Sequence, residues 1–135
     1  MSEAVPFDVP FSATSFVMGV LKSHKKVLDF KRSRDVVFDI TRVPPLSDIR
    51  AVLTNIYTVG LAQLMEAIQK VPGVNCVITG GDWNGYTTEA KDYALQNQIG
   101  LFTNSEFFGA LWWTNFHEYH KKDEEGHPIY RYKSA

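Results

Sequence analysis

The chain has 135 residues, a single cysteine and a formal net charge of −1 at neutral pH. Its length suits one domain with a real core and is too short for two ordinary ones. The charge excludes a uniformly basic nucleic-acid binder, the lone Cys76 excludes an internal disulfide or a cysteine-built zinc cluster, and no run approaches the roughly 18 apolar residues of a membrane span.

The opening "MSEAVPFDVPF" carries acids and prolines rather than a basic segment before an apolar one. No secretory leader is expected, and the expected location is the cytoplasm, with no membrane partner. An extended arm precedes a helix over Phe11–Ser23, where Phe16, Val17, Val20 and Leu21 recur at helical spacing and Ser12 offers a cap. "KKVLDFKRSRDVVFDITR" holds two apolar runs, Val27–Phe30 and Val36–Ile40, around the polar "KRSRD", which predicts a hairpin. Pro44 and Pro45 break the chain. Ile49–Tyr57, rich in β-branched residues, predicts a third strand.

Leu61, Leu64, Met65 and Ile68 then mark one face of an amphipathic helix, stopped by Pro72 and Gly73. Val74–Thr79 predicts a strand buried on both faces, and Gly80–Gly85 a loop. In the next helix Tyr86, Ala90, Tyr93 and Ala94 should face the sheet, and Lys91 and Asp92 should face water. Ile99–Thr103 predicts another buried strand. Ser105 is placed to cap a last helix reaching about Trp113, with Glu106 well set against its dipole. The tail turns at "KDEEGHP" between Tyr119 and Tyr130, which predicts an appended hairpin, a disordered end being the alternative. The whole, residues 1–135, reads as one domain with a C-terminal extension at about 114–135. Three strands on short links form an antiparallel meander, and the later βαβ units add parallel strands through right-handed crossovers. The expected fold class is therefore α/β, a mixed sheet flanked by helices.

Three stretches carry a family resemblance: "YTVGLAQLMEAI", "VNCVITGGDWNGYTTEAKDYALQNQIGLF" and "SEFFGAL". With this order of elements the chain resembles the restriction-endonuclease-like superfamily, the PD-(D/E)XK nucleases, and within it the Mrr-type branch, over roughly residues 11–112. The resemblance implies a phosphodiesterase core in which acids on the second and third strands hold Mg²⁺ and a lysine two residues after the second acid serves the attacking water. Asp39, on the second strand, matches the first acid. The acid-x-lysine pair falls near Leu53 and Asn55, neither of which supplies the chemistry, so the resemblance implies a degenerate site. An alternative places the pair one strand early, at Asp29-x-Lys31, with Asp29 and Asp39 holding Mg²⁺ and Lys31 or Arg42 supplying the positive charge. The plainer reading, which is preferred, takes Asp29 and Lys31 as exposed hairpin residues.

"GGDWNG" is neither a P-loop nor a dinucleotide fingerprint, because Tyr86 and Thr87 stand where the lysine and hydroxyl would be. Its glycines, Gly80, Gly81 and Gly85, suit a turn, and Thr87 or Thr88 can cap the next helix. Trp83 is expected to fold back on the core. His117, His120 and His127 are spaced for a metal, although a polar tail explains them as well.

From Lys22 to Arg34 the chain holds Lys22, Lys25, Lys26, Lys31, Arg32 and Arg34 against Asp29 alone. Such a run can grip phosphates. Three readings follow. The first is a degenerate nuclease-like module that binds DNA or RNA, and the second an active Mg²⁺-dependent nuclease. The third is a protein-interaction or homo-oligomerising domain using the tail aromatics Trp112, Trp113, Phe116, Tyr119, Tyr130 and Tyr132.

Overall fold

The computed structural model describes residues 5–81 and 83–134. Helix α1 (Phe11–Ser23) leads into strands β1 (Val27–Ser33), β2 (Val37–Arg42) and β3 (Ile49–Leu53). Short β4 (Thr58–Val59), helix α2 (Leu61–Lys70) and β5 (Cys76–Ile78) follow, then β6 (Gly85–Tyr86), α3 (Thr88–Gln96), β7 (Gly100–Phe102) and α4 (Asn104–Ala110). A 3₁₀ turn at Phe116–Glu118 precedes the hairpin of β8 (Lys121–Lys122) and β9 (Pro128–Ile129). The hairpin is the appended one the tail predicts.

The main sheet runs β1-β2-β3-β5-β7. The first three strands are antiparallel, and β3, β5 and β7 are parallel. This is the mixed sheet with flanking helices expected from the order of elements. Leu53, Val77, Ile78, Leu101 and Phe102 are fully buried, as the apolar runs of the parallel strands require.

Register sorts the sheet residues onto two faces. Lys31 lies opposite Asp39, and Asp39 opposite Arg50, on one face. The C-terminal end of α2 closes on this side, where Arg34 donates to Lys70 O (2.8 Å) and Arg50 to Pro72 O (2.8 Å). Phe30, Phe38, Ile40 and Arg42 alternate onto the other face. There the α4 end is held by Arg42, which donates to Leu111 O (3.0 Å) and Trp113 O (2.8 Å). Helix α1 meets α4 through the Phe16–Phe108 ring pair.

Several boundaries differ from expectation, each for a local reason. Strand β3 stops at Leu53, and just beyond it the amide and hydroxyl of Thr54 both donate to Ile78 O (2.9 Å each). Helix α1 starts behind Pro10 with no side-chain cap, so Ser12 does not serve. Helix α4 is capped at Thr103, whose amide donates to Glu106 Oε1 (3.0 Å), and Ser105 instead accepts from Lys121 Nζ. Thr87 does cap α3, accepting from the Ala90 amide (3.1 Å).

In α2, Leu64 and Ala67 are buried while Met65 is exposed. Trp83 is 85% exposed rather than folded back. In its loop Gly80 has a φ of +105°, the left-handed geometry glycine tolerates. Gly85 is needed for another reason: a Cβ there would collide with Arg131 O of the tail. The tail runs beside β6, with Lys133 N donating to Tyr86 O (2.8 Å) and Tyr86 N to Arg131 O (3.1 Å).

Candidate functional site

The register of the meander brings three of the sequence-chosen residues to one face. Asp29 lies opposite Thr41, and Lys31 opposite Asp39, so Asp29 and Asp39 are diagonal neighbours about 7–8 Å apart. Arg42 is not with them. It points to the opposite face, is 1% exposed, and gives its guanidinium to Ser47 O (2.7 Å) and the two carbonyls after α4. Burial lowers its pKa from the ordinary value. A guanidinium so enclosed cannot meet a phosphate.

Asp39 already has a partner that sequence reading passed over. Arg50 Nε donates to its Oδ1 (2.7 Å) and Nη2 to its Oδ2 (3.4 Å), a forked pair. The pair borders a cleft of about 230 Å³ lined by Thr41, Asp48 and Asn75 among others. Arg50 was legible in principle, because it sits where the antiparallel register must place a residue opposite Asp39. Leu53, at the position of the second acid, is fully buried, and Asn55 is exposed. Among the described residues no three His, Cys, Asp or Glu side chains converge. With Asp39 taken by Arg50, this donor set does not fit Mg²⁺, which needs hard oxygen ligands gathered at one point.

The basic run divides between the two ends of β1. At the hairpin tip, Arg32 pairs with Asp35 (2.7 Å) and Arg34 donates to Lys70 O. At the other end Lys22 and Lys25 are exposed and Lys26 is half-buried. No carboxylate lies within ion-pair distance of these three among the described residues. Lys26 Nζ stands 5.9 Å from the ring of Trp112, which is 51% exposed and packs at a tilt against His24 (4.8 Å). Burial lowers the pKa of His24. The run is therefore split into two patches, with Lys31 exposed on the strand between them, and among the described residues no acid neutralises the Lys22–Lys25–Lys26 patch. Trp112 is the residue that sequence reading did not attach to it.

The tail histidines do not gather. His127 lies in the turn beside Asp123 (3.4 Å) and Glu125 (3.6 Å), His120 packs on Trp113 and Tyr130, and His117 on Phe116. Of the tail aromatics Phe116 is buried, Tyr119 and Tyr130 are half-buried, and Trp112, Trp113 and Tyr132 stay exposed while pairing with other rings. Trp113 meets Tyr119 (5.3 Å), and Tyr132 meets Tyr86 (5.8 Å).

Lys91, expected in water, is fully buried. Its ammonium donates to Leu101 O (2.7 Å) on the edge strand and lies over the rings of Phe102 (4.4 Å), Tyr86 (5.2 Å) and Tyr130 (5.5 Å). Burial lowers its pKa from 10.5 to about 8, against the opposing pull of Glu106. Between those values the unfolded state binds more protons, so this group makes stability rise with pH. Burial raises the pKa of Cys76 and Tyr86, which acts the other way above the ordinary pKa of each. A difference from Lys91→Met removes those contributions. Wild-type stability relative to that variant should rise by about 1.4 kcal/mol per pH unit between about pH 8 and 10. Urea denaturation across that range measures it, and a flat difference would contradict the buried cation.

Among the described residues no helix is long and apolar enough to cross a membrane. Comparison of the chain with known protein families, with curated proteins and with solved structures found no match.

Proposed function

We propose that the chain is a restriction-endonuclease-like module that binds DNA or RNA without cutting it. The observation that carries the reading is the patch of Lys22, Lys25 and Lys26 beside half-exposed Trp112, with no acid among the described residues to neutralise it. Lysines grip phosphates irrespective of sequence, and an exposed aromatic ring gives a base a surface to stack on. The strand order supports the superfamily by analogy. The buried Leu53 and the Asp39–Arg50 pair support a site that has lost its chemistry.

Fluorescence anisotropy with labelled single-stranded and duplex oligonucleotides tests the reading. Binding should weaken with salt, with a slope on duplex near −3 if three phosphates are engaged, at about 0.9 per contact. Changing Lys22, Lys25 and Lys26 together to glutamine should abolish most of the binding, and Trp112→Ala should weaken single-strand binding. The pair Arg32→Gln and Arg34→Gln should change little. Absence of binding at low salt would overturn the proposal. Cleavage of plasmid with Mg²⁺ or Mn²⁺, lost in Asp39→Ala, would establish the active-nuclease alternative, for which the shared face of Asp29, Lys31 and Asp39 speaks.

A further inference from the structure

Strand β1 is an edge of the main sheet. Among the described residues no backbone group from elsewhere in the chain hydrogen-bonds to residues 28–33 along its outer side. Such an edge is a ready template for another strand. Its residues Leu28, Asp29, Lys31, Arg32 and Ser33 are exposed, and Leu28 is 61% so. Lys31 has Asp39 directly opposite, but Arg50 takes that carboxylate, and among the described residues neither Asp29 nor Lys31 forms an ion pair. Two unneutralised charges of opposite sign thus flank Phe30 on one face of an open edge.

We propose that β1 pairs antiparallel with β1 of a second copy of this chain, about a two-fold axis at Phe30. In that register Phe30 faces its symmetry mate, and each Asp29 lies opposite the other copy's Lys31. The charges then alternate along one row of the joined sheet: Arg50, Asp39 and Lys31 from one copy, then Asp29 from the other. Opposite charges directly across a strand pair attract, and like charges there repel. The two-fold arrangement uses the same surface on both copies and closes after two. The charge pattern selects this register, since a shift of two residues sets Asp29 against Asp29 or Lys31 against Lys31. A one-residue slip would place the two charged rows on opposite faces.

The occupant is a second copy, because the strand is its own electrostatic complement. Sedimentation of the purified protein without nucleic acid should show a concentration-dependent doubling of the 15.3 kDa mass. Lys31→Asp sets acid against acid, Asp29→Lys sets base against base, and each variant alone should sediment as a monomer. Mixed in equal amounts, the two should recover the doubled mass, as should the single chain carrying both changes. Circular dichroism checks that each variant is folded. If either is not, Asp29→Cys mixed with Lys31→Cys should form a disulfide-linked dimer on oxidation, much faster than either variant alone, and random cross-linking would count against the register. A wild-type protein that stays monomeric at its highest attainable concentration overturns the proposal. So does a dimer indifferent to both charge reversals.

Discussion

Glu106→Ala should lower stability by about 3–5 kcal/mol, the range seen when one partner of a buried charged cluster is removed. Glu106 is 1% exposed. Its carboxyl group accepts the Tyr86 hydroxyl at both oxygens (3.0 and 2.8 Å) and the Thr103 amide at Oε1 (3.0 Å). Tyr86 in turn accepts the Arg131 amide (3.1 Å). The residue thus ties the start of α4 to β6 and the tail, and its charge favours the ammonium of Lys91. Truncation leaves two buried donors without an acceptor and one buried cation without its counter-charge. In a domain of this size the loss corresponds to roughly 10–20 °C in melting temperature. Glu106→Gln keeps an acceptor but not the charge, so it should fall between. Adding Lys91→Met to Glu106→Gln should restore part of the loss, because the unpaired cation is then gone. A double-mutant cycle measures that coupling, and strictly additive effects would show that Glu106 and Lys91 do not act together.

The architecture was legible because it follows from order and periodicity. Three strands on short links can only meander, and two strand–helix–strand units crossing right-handed extend the sheet on one side. The apolar runs Val74–Thr79 and Ile99–Thr103 gave their strands because burial on both faces removes the alternation of polar residues.

What escaped the sequence depended on side chains reaching across the fold. Lys91 lies off the Ala90–Ala94 stripe of α3 and reads as a solvated residue. It is buried because the tail, through Tyr130, closes over it, and nothing local in α3 announces a segment so far along the chain. Arg42 reads as a positive charge to stand beside Asp29 and Asp39, yet it is drawn inward by carbonyls at the end of α4. The candidate site shows the same division. The shared face of Asp29, Lys31 and Asp39 followed from hairpin register. The capture of Asp39 by Arg50, and of Arg32 by Asp35, depends on rotamers that one-dimensional spacing does not fix.

Arg42 carries the second large expected effect. Its guanidinium donates to Ser47 O, Leu111 O and Trp113 O, and to Ser47 Oγ (3.2 Å), while the ring of Phe116 covers it at 5.5 Å. One side chain therefore fastens the β2–β3 link and the segment after α4 to the sheet. Arg42→Ala should cost about 3–5 kcal/mol, from the donors withdrawn from three carbonyls and the space left in a packed layer. Arg42→Lys should recover less than half of that, because an ammonium cannot present the planar fork that reaches separate acceptors. Denaturant unfolding gives both numbers. Hydrogen exchange adds a readout of place, since protection should fall first at Trp112 and Trp113, whose amides donate to Gly109 O and Ala110 O. Trp112 also belongs to the proposed nucleic-acid patch, so Arg42→Lys should weaken single-strand binding at temperatures where the variant remains folded. A lysine variant as stable as the wild type would show that the fork is not what holds the segment.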